Sequence, residues 1–215
     1  MSRIRILVTS LLIAAAVLQF AARASAEDIY DNISGSTGAV SGGSELISSV
    51  NAPIANSFST GGSSSLLTDL GLLLLATNPA SGNSFTVKLL SDASTSPGTA
   101  LTTITTVNDS ALTTTLATFN YQLPAPYPLA ANTRYWIELT SGLTTSEWSY
   151  PVTNLGIGVA NEYVYYAGTV YANSSFTPYQ MTVTTAAVPE PATLSLCGLG
   201  LAALVAARRV LARAS

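Results

Sequence analysis

Apolar residues between positions 27 and 187 come in short runs with a period of two, and this spacing constrains the fold more than any other feature. Ser84–Leu89 alternates polar and apolar side chains, and Tyr179–Thr184 does the same. Such alternation places one face of a β-strand against a core and the other face in water. The region lacks the helical spacing of three to four residues, so we expect strands throughout it.

Further strands are predicted at 56–60, 66–76, 100–107, 116–122, 134–140 and 163–167. Segments rich in Pro and Gly, among them 78–83, 96–98 and 123–128, are expected to stop the pairing between them. The leucine run at 70–75 also fits a buried helix, but its neighbours favour a central strand buried on both faces. The Gly/Ser-rich stretch 33–49 is predicted to be a mobile loop or an N-terminal arm.

About eight strands without a helical crossover predict an all-β domain, an antiparallel β-sandwich of jelly-roll type. Hairpins and Greek-key loops are sufficient to connect the strands of such a fold. We place this domain at 27–187, between an N-terminal signal peptide and a C-terminal transmembrane helix. One domain is the simplest interpretation of a segment of this length.

The first 26 residues have the three parts of a secretory signal peptide. Arg3 and Arg5 precede an apolar run centred on residues 11–18, and small residues follow up to Ala24 and Ala26. The basic start stays in the cytoplasm, the apolar middle enters the translocon, and signal peptidase accepts only small side chains before the cut. Cleavage after Ala26 is therefore predicted.

The C-terminal segment, 188–213, carries three signals in one short order: the motif Val188, Pro189, Glu190 and Pro191, the apolar run 192–207, and the arginines Arg208, Arg209 and Arg213. The apolar run is shorter than the roughly 20 residues that an untilted transmembrane helix needs, so we predict a marginal anchor. The positive-inside rule keeps the arginines in the cytoplasm and places the domain outside. The prolines hold the backbone extended, which favours binding by a protease.

In the order and spacing of these signals, the tail resembles the PEP-CTERM sorting signal. The resemblance implies processing by an exosortase, a membrane-embedded, transpeptidase-like enzyme of Gram-negative bacteria that make exopolysaccharide. It implies a precursor anchored in the inner membrane and a product at the cell surface or in the extracellular matrix. Signal peptidase and the exosortase-like enzyme are the expected partners, the inner membrane is a transient one, and exopolysaccharide is a candidate.

Three stretches of the domain, 55–61, 96–101 and 129–137, resemble the choice-of-anchor R type, a family whose members reach the surface by various anchors. The resemblance extends over roughly 32–185. The family has no established catalytic residues, so it implies no site in this chain.

The charge of the exported domain excludes one class of partner. Between positions 27 and 188 only Lys88 and Arg134 are basic, against ten acidic residues, so the formal net charge is about −8, compared with −3 for the whole chain. Such a surface repels phosphate backbones, and no nucleic-acid partner is expected. The single cysteine, Cys197, lies in the tail, so the domain can form no disulfide.

Catalytic chemistry has few candidates. The chain contains no histidine, which rules out a Ser-His-Asp triad and an imidazole zinc site, and we expect no enzyme and no bound cofactor. A pair of carboxylates could hydrolyse glycosides; the candidates are Glu138, Glu147, Glu162 and Asp69. Their spacing predicts no pair, and surface acids are the favoured interpretation. A structural calcium ion is the remaining alternative, with oxygen ligands from Asp28, Asp31, Asp92 and Asp109.

Aromatic side chains could instead bind sugars; the candidates are Tyr163, Tyr165, Tyr166, Tyr171, Tyr179, Trp136 and Trp148. In a strand, Tyr163 and Tyr165 face one side while Val164 and Tyr166 face the other, so at least half of these rings should fill the core. Three Asn-X-Ser matches, at Asn32, Asn108 and Asn173, are interpreted as loops. The leading hypothesis is a structural or adhesive surface protein; a carbohydrate-binding module and a carboxylate hydrolase are the alternatives.

Overall fold

The structure, a computed structural model, describes residues 25–34, 41–47, 53–188 and the single residue 198. The chain divides into two compact units, one made of Ala26–Ala187 and one made of Met1–Ser25 with Val188–Ser215. Apart from positions 25, 26 and 198, the predicted signal peptide and the predicted apolar helix 192–207 lie outside the described residues. None of the described residues belongs to a helix with the length and hydropathy needed to cross a bilayer.

The described part of the unit Ala26–Ala187 contains twelve strands: β1 (Ala26–Asp31), β2 (Ser41–Leu46), β3 (Ile54–Ser59), β4 (Ser65–Ala76), β5 (Ser84–Asp92), β6 (Pro97–Asn108), β7 (Ala117–Leu129), β8 (Arg134–Leu143), β9 (Ser146–Pro151), β10 (Tyr163–Tyr166), β11 (Thr169–Ala172) and β12 (Met181–Ala187). Single turns of 3-10 helix follow β4, at Pro79–Ser81, and β6, at Asp109–Ala111.

The strands form two antiparallel sheets. The first has the order β1-β12-β4-β9-β2, with β7 also paired to β4, and the second has the order β11-β10-β3-β8-β5-β6. β4 is long enough to pair with β7 along one edge and with β12 and then β9 along the other. These sheets confirm the all-β prediction, and β4 is the central strand that the leucine run predicted.

One hydrophobic cluster fills the space between the two sheets. Leu70, Leu72 and Leu74 of β4 point inward and are fully buried, as are Phe85 and Val87 of β5. Burying each aliphatic or aromatic side chain of this size contributes about 1.5–3 kcal/mol. The outward-facing leucines of β4 are half-buried, so the prediction that this strand is buried on both faces is wrong: only its inward face is fully buried.

The prediction of a strand break at 123–128 is wrong, because β7 continues through this segment to Leu129. Its prolines, Pro124, Pro126 and Pro128, are exposed. β7 pairs with β4 along one edge, and proline is tolerated in such a strand where its missing N–H faces solvent. The register shifts between Leu67 and Asp69 of β4, which accommodates the extra residues of β7.

The prediction of a loop or arm at 33–49 is also wrong in part, because Ser41–Leu46 forms β2 and pairs with β9. Side chains reinforce this pairing: the Ser41 and Ser149 hydroxyls lie 2.9 Å apart, and the Ser44 hydroxyl donates to the Glu147 carboxylate. Glycine is depleted in strands, so the Gly/Ser-rich composition gave no sign of a strand here. The strand is held by its pairing with β9. Residues 35–40 and 48–49 lie outside the described part of the chain.

Candidate functional site

The two basic residues between positions 27 and 188 lie on the outer face of the second sheet. β8 directs Tyr135 and Ile137 into the main core and Trp136 into a separate cluster on the opposite face. By strand alternation, Arg134 and Glu138 share the outer face with Trp136. Lys88 of β5 pairs with Glu138 there, with 3.5 Å between Nζ and Oε1.

The Arg134–Glu162 ion pair fixes the chain before β10 to β8. Arg134 Nε lies 3.0 Å from Glu162 Oε2, and Arg134 Nη2 donates to the Asn161 carbonyl at 3.0 Å. The Ser57 hydroxyl donates to the same carboxylate oxygen of Glu162, whose side chain is 3% exposed. The guanidinium carbon of Arg134 lies 4.7 Å from the centre of the Tyr163 ring. The guanidinium of Arg134 thus contacts a buried carboxylate, a backbone carbonyl and the face of an aromatic ring.

Trp136 is fully buried although it faces away from the main core. Its indole N–H donates to Asp92 Oδ1 at 2.8 Å, and its ring packs with Ala55 and Leu90. Tyr163 and Tyr165 pack against this cluster and are half-buried. The outer face of the second sheet therefore presents two tyrosine rings beside two ion pairs.

The four carboxylates considered for glycoside hydrolysis are dispersed over both sheets. Glu138 and Glu162 share one face. Glu162 is paired with Arg134, which lies four positions along β8 from Glu138, or about 13 Å at the rise of a strand. Glu147 pairs with Leu75 of β4, six positions and about 20 Å along that strand from Asp69. Glycosidase pairs lie roughly 5–9.5 Å apart, so the structure brings neither of these two pairs together.

The four aspartates considered for calcium are each engaged in separate hydrogen bonds. Asp28 accepts from Thr184 Oγ1 at 2.6 Å, Asp31 accepts from the Ile33 N–H at 2.9 Å, and Asp92 accepts from Trp136. Asp109 lies in a cluster of hydroxyl groups that is described below. Among the residues that the structure describes, no three His, Cys, Asp or Glu side chains are grouped to hold a metal ion.

Asp109 is the most heavily bonded acid in the described part of the chain. It is fully buried after β6 and accepts from Ser81 Oγ at 2.5 Å, from the Thr145 N–H at 2.9 Å and from Ser146 Oγ at 2.6 Å. The hydroxyls of Thr144 and Thr145 donate to it as well. Burial raises the pKa of Asp109, but these hydrogen bonds outweigh burial and lower the pKa to about 2. The carboxylate thereby ties together the segments that follow β4, β6 and β8.

Two further groups of stacked aromatic residues lie on β9, β10 and β11 and in the segment between β11 and β12. Trp148 and Tyr179 are buried and stack with 4.7 Å between ring centres, and Phe176 stacks on Tyr171 at 4.7 Å and on Tyr166 at 5.9 Å. The nearby Glu45 carboxylate raises the pKa of Tyr166. Val164 and Tyr166 face the main core while Tyr163 and Tyr165 face the outer cluster, which confirms the predicted alternation of β10.

In two of the three Asn-X-Ser matches, the asparagine is buried and makes hydrogen bonds within the fold. Asn32 is 2% exposed; its amide donates to the Tyr179 carbonyl at 3.0 Å and its oxygen accepts from the Met181 N–H at 2.7 Å. Asn173 is also 2% exposed and donates to the Val159 carbonyl at 3.2 Å. Asn108, at the end of β6, is exposed. The bonding roles of Asn32 and Asp109 had no signal in the sequence, because their partners are distant along the chain.

Comparison with known proteins identifies the tail. The model of the PEP-CTERM protein-sorting motif matches residues 187–210, which confirms the predicted resemblance of this segment. The motif indicates an exported protein that is sorted at a membrane, with processing by an exosortase-like enzyme. No curated protein matches the chain. A solved structure of a clostridial cysteine protease after propeptide cleavage is similar over 65% of this chain, with 12% identity and a TM-score of 0.46. The similarity spans 37% of that protein's chain.

Proposed function

We propose that the sandwich is a structural or adhesive component of the cell surface or the exopolysaccharide matrix, released from a membrane-anchored precursor by a cut near Val188–Pro191. The observation that carries this proposal is the sorting motif at 187–210, which begins at the last residue of β12. Val188 is 43% exposed. The motif thus starts at the end of β12, the last strand of the described domain.

The proposal includes a jelly-roll fold and a domain of the choice-of-anchor R type. Eight of the strands support the first part, because they run in the orders β1-β12-β4-β7 and β3-β8-β5-β6. A double sheet built from two Greek keys has this order. A non-enzymatic role is part of the same proposal. It is supported by the lack of histidine in the chain and by the use of Glu162 and Asp109 in buried hydrogen bonds.

The test is intact-mass analysis of the protein from its own host, with membrane, surface and medium fractions measured separately. We expect the wild-type product to begin at Glu27 and to end between Val188 and Pro191. Glu190→Ala with Pro191→Ala should instead accumulate as the longer form in the membrane fraction, because the motif is damaged. Pro128→Ala, which changes an exposed proline of β7, is the control and should be processed normally. A wild-type chain that ends at Ser215 and stays in the inner membrane would refute the proposal.

Glycan binding is the second candidate, favoured by the half-buried Tyr163 and Tyr165 beside the ion pairs of the outer face. Aromatic faces and fixed polar groups together suit a saccharide, which has apolar ring faces and many hydroxyls. We expect Tyr165→Ala to reduce retention of the protein on the host's own exopolysaccharide by about tenfold, the loss of roughly one stacking contact. Tyr127→Ala on β7 should leave it unchanged. A wild-type protein that is not retained would remove this candidate.

A further inference from the structure

The outer face of the second sheet carries a row of side chains that crosses its strands. The residues of this row pair one with the next, from β10 through β3, β8 and β5 to β6: Tyr165, Ala55, Glu138, Lys88 and Thr103. Residues paired in this way share a face of the sheet. Neighbouring strands lie about 4.8 Å apart, so the row extends about 19 Å from Tyr165 to Thr103. We call it the mixed row.

A second row on the same face consists of threonines. Thr140 of β8 pairs with Thr86 of β5, and Thr86 pairs with Thr106 of β6. Thr86 lies two positions, or about 7 Å, along β5 from Lys88 and therefore points to the same side. Within the described part of the chain, none of these three hydroxyls has a hydrogen-bond partner. Thr106 is exposed, and the other two threonines are half-buried. We call these residues the threonine row.

The same face has no unpaired positive charge. Lys88 and Glu138 form an ion pair in which the side chains remain 32% and 13% exposed. The other basic residue between positions 27 and 188, Arg134, is paired with Glu162. These positions together have a formal net charge of about −8, so they repel a polyanion. A ligand of this face is therefore expected to be uncharged.

Resting on the candidate of glycan binding, we propose that the mixed row and the threonine row bind a neutral polysaccharide whose chain lies across the strands. Tyr165 offers an aromatic surface to the apolar face of one sugar ring. The ammonium of Lys88 donates hydrogen bonds, and the carboxylate of Glu138 accepts them, so the ion pair suits the hydroxyls of a neighbouring ring. A threonine hydroxyl both donates and accepts, which matches a sugar hydroxyl in either role.

Affinity electrophoresis tests this proposal on the protein isolated from its own host. Separate native gels contain one of four neutral polymers, which are laminarin, dextran, galactomannan and hydroxyethylcellulose, or the polyanion alginate. We expect at least one neutral polymer to retard the protein, because its rings can follow both rows. Alginate should not retard it, since the acidic protein and the polyanion repel each other. The retardation at several polymer concentrations gives the dissociation constant.

A double variant tests the threonine row directly. Thr86→Val with Thr106→Val removes two hydroxyls at nearly constant shape, and valine favours strands, so the fold should be retained. The dissociation constant for the retarding polymer should rise about tenfold, because two hydrogen bonds to the ligand are lost. Thr118→Val is the matched control and should bind like the wild type. Thr118 is exposed on β7, in the first sheet.

Three outcomes would overturn the proposal: no retardation by any of the four neutral polymers, retardation by alginate alone, or an unchanged dissociation constant in the double variant. The candidate of glycan binding fails by a different result, which is no retention on the host's own exopolysaccharide. Retention there with an unchanged double variant would keep that candidate and exclude the two rows as its site. Processing of the tail is measured by mass and is independent of these results.

Discussion

Replacing Asp109 with alanine is expected to lower the free energy of unfolding by about 3 kcal/mol. The carboxylate accepts hydrogen bonds from Ser81, Ser146 and the Thr145 N–H. The hydroxyls of Thr144 and Thr145 bond to it as well. Alanine would leave these donors without an acceptor, and those of Thr144 and Ser146 lie in a buried part of the site. Urea unfolding followed by circular dichroism measures the change.

Asp28→Ala is the matched control for this variant. Asp28 is exposed and accepts one hydrogen bond, from Thr184 Oγ1 at 2.6 Å, so its loss should cost less than about 0.5 kcal/mol. A decrease below about 1 kcal/mol for Asp109→Ala would show that the cluster of hydroxyls contributes little to stability.

The same residue predicts a dependence of stability on pH. The pKa of Asp109 is lowered to about 2 in the folded protein, against roughly 3.9 for an aspartate in an unfolded chain. A lowered folded-state pKa means that the unfolded chain binds the proton more tightly. The stabilisation is therefore complete above about pH 5 and is lost as the pH falls toward 2, by roughly 2.5 kcal/mol in all. Asp109→Asn should flatten this part of the pH profile, and an identical profile in the variant would contradict the assignment.

The sequence was sufficient to predict the strands that alternate against the core. β5 and β8 carry regular apolar positions, and Phe85 and Ile137 in these strands are buried as their spacing predicted. Regular burial leaves a local pattern, because each inward position must be apolar whatever the rest of the chain does. The sorting tail was predicted for a related reason: a linear motif is recognised as sequence and needs no fold.

β2 and the second half of β7 could not be predicted, because their pairing depends on distant partners. β2 is rich in Gly and Ser, and β9 holds it through backbone bonds and the Ser44–Glu147 contact. β7 tolerates three prolines because it is paired with β4 along one edge. The side chains that donate hydrogen bonds to Asp109 lie 28 to 37 positions away along the chain. In a chain so rich in Ser and Thr, the sequence does not distinguish these hydroxyls from the many others.

Two shortened chains should differ completely in folding, and together they restrict where the tail can be cut. A chain that stops after Val188 should keep the thermal midpoint of the full domain, because β12 remains whole. A chain that stops after Thr182 should not fold. It lacks Val183, which is fully buried, and Thr185, which pairs with Glu27 of β1 and Leu67 of β4.

β12 lies between β1 and β4, so shortening it breaks two ladders of backbone hydrogen bonds and opens the core at once. The loss exceeds the 5–15 kcal/mol by which domains of this size are typically stable, whereas an edge strand would cost much less. Thermal unfolding of both exported chains measures the difference, and cooperative unfolding of the chain ending at Thr182 would contradict it. If that chain fails to fold and the chain ending at Val188 succeeds, a processing enzyme that releases a folded domain must cut beyond Thr182.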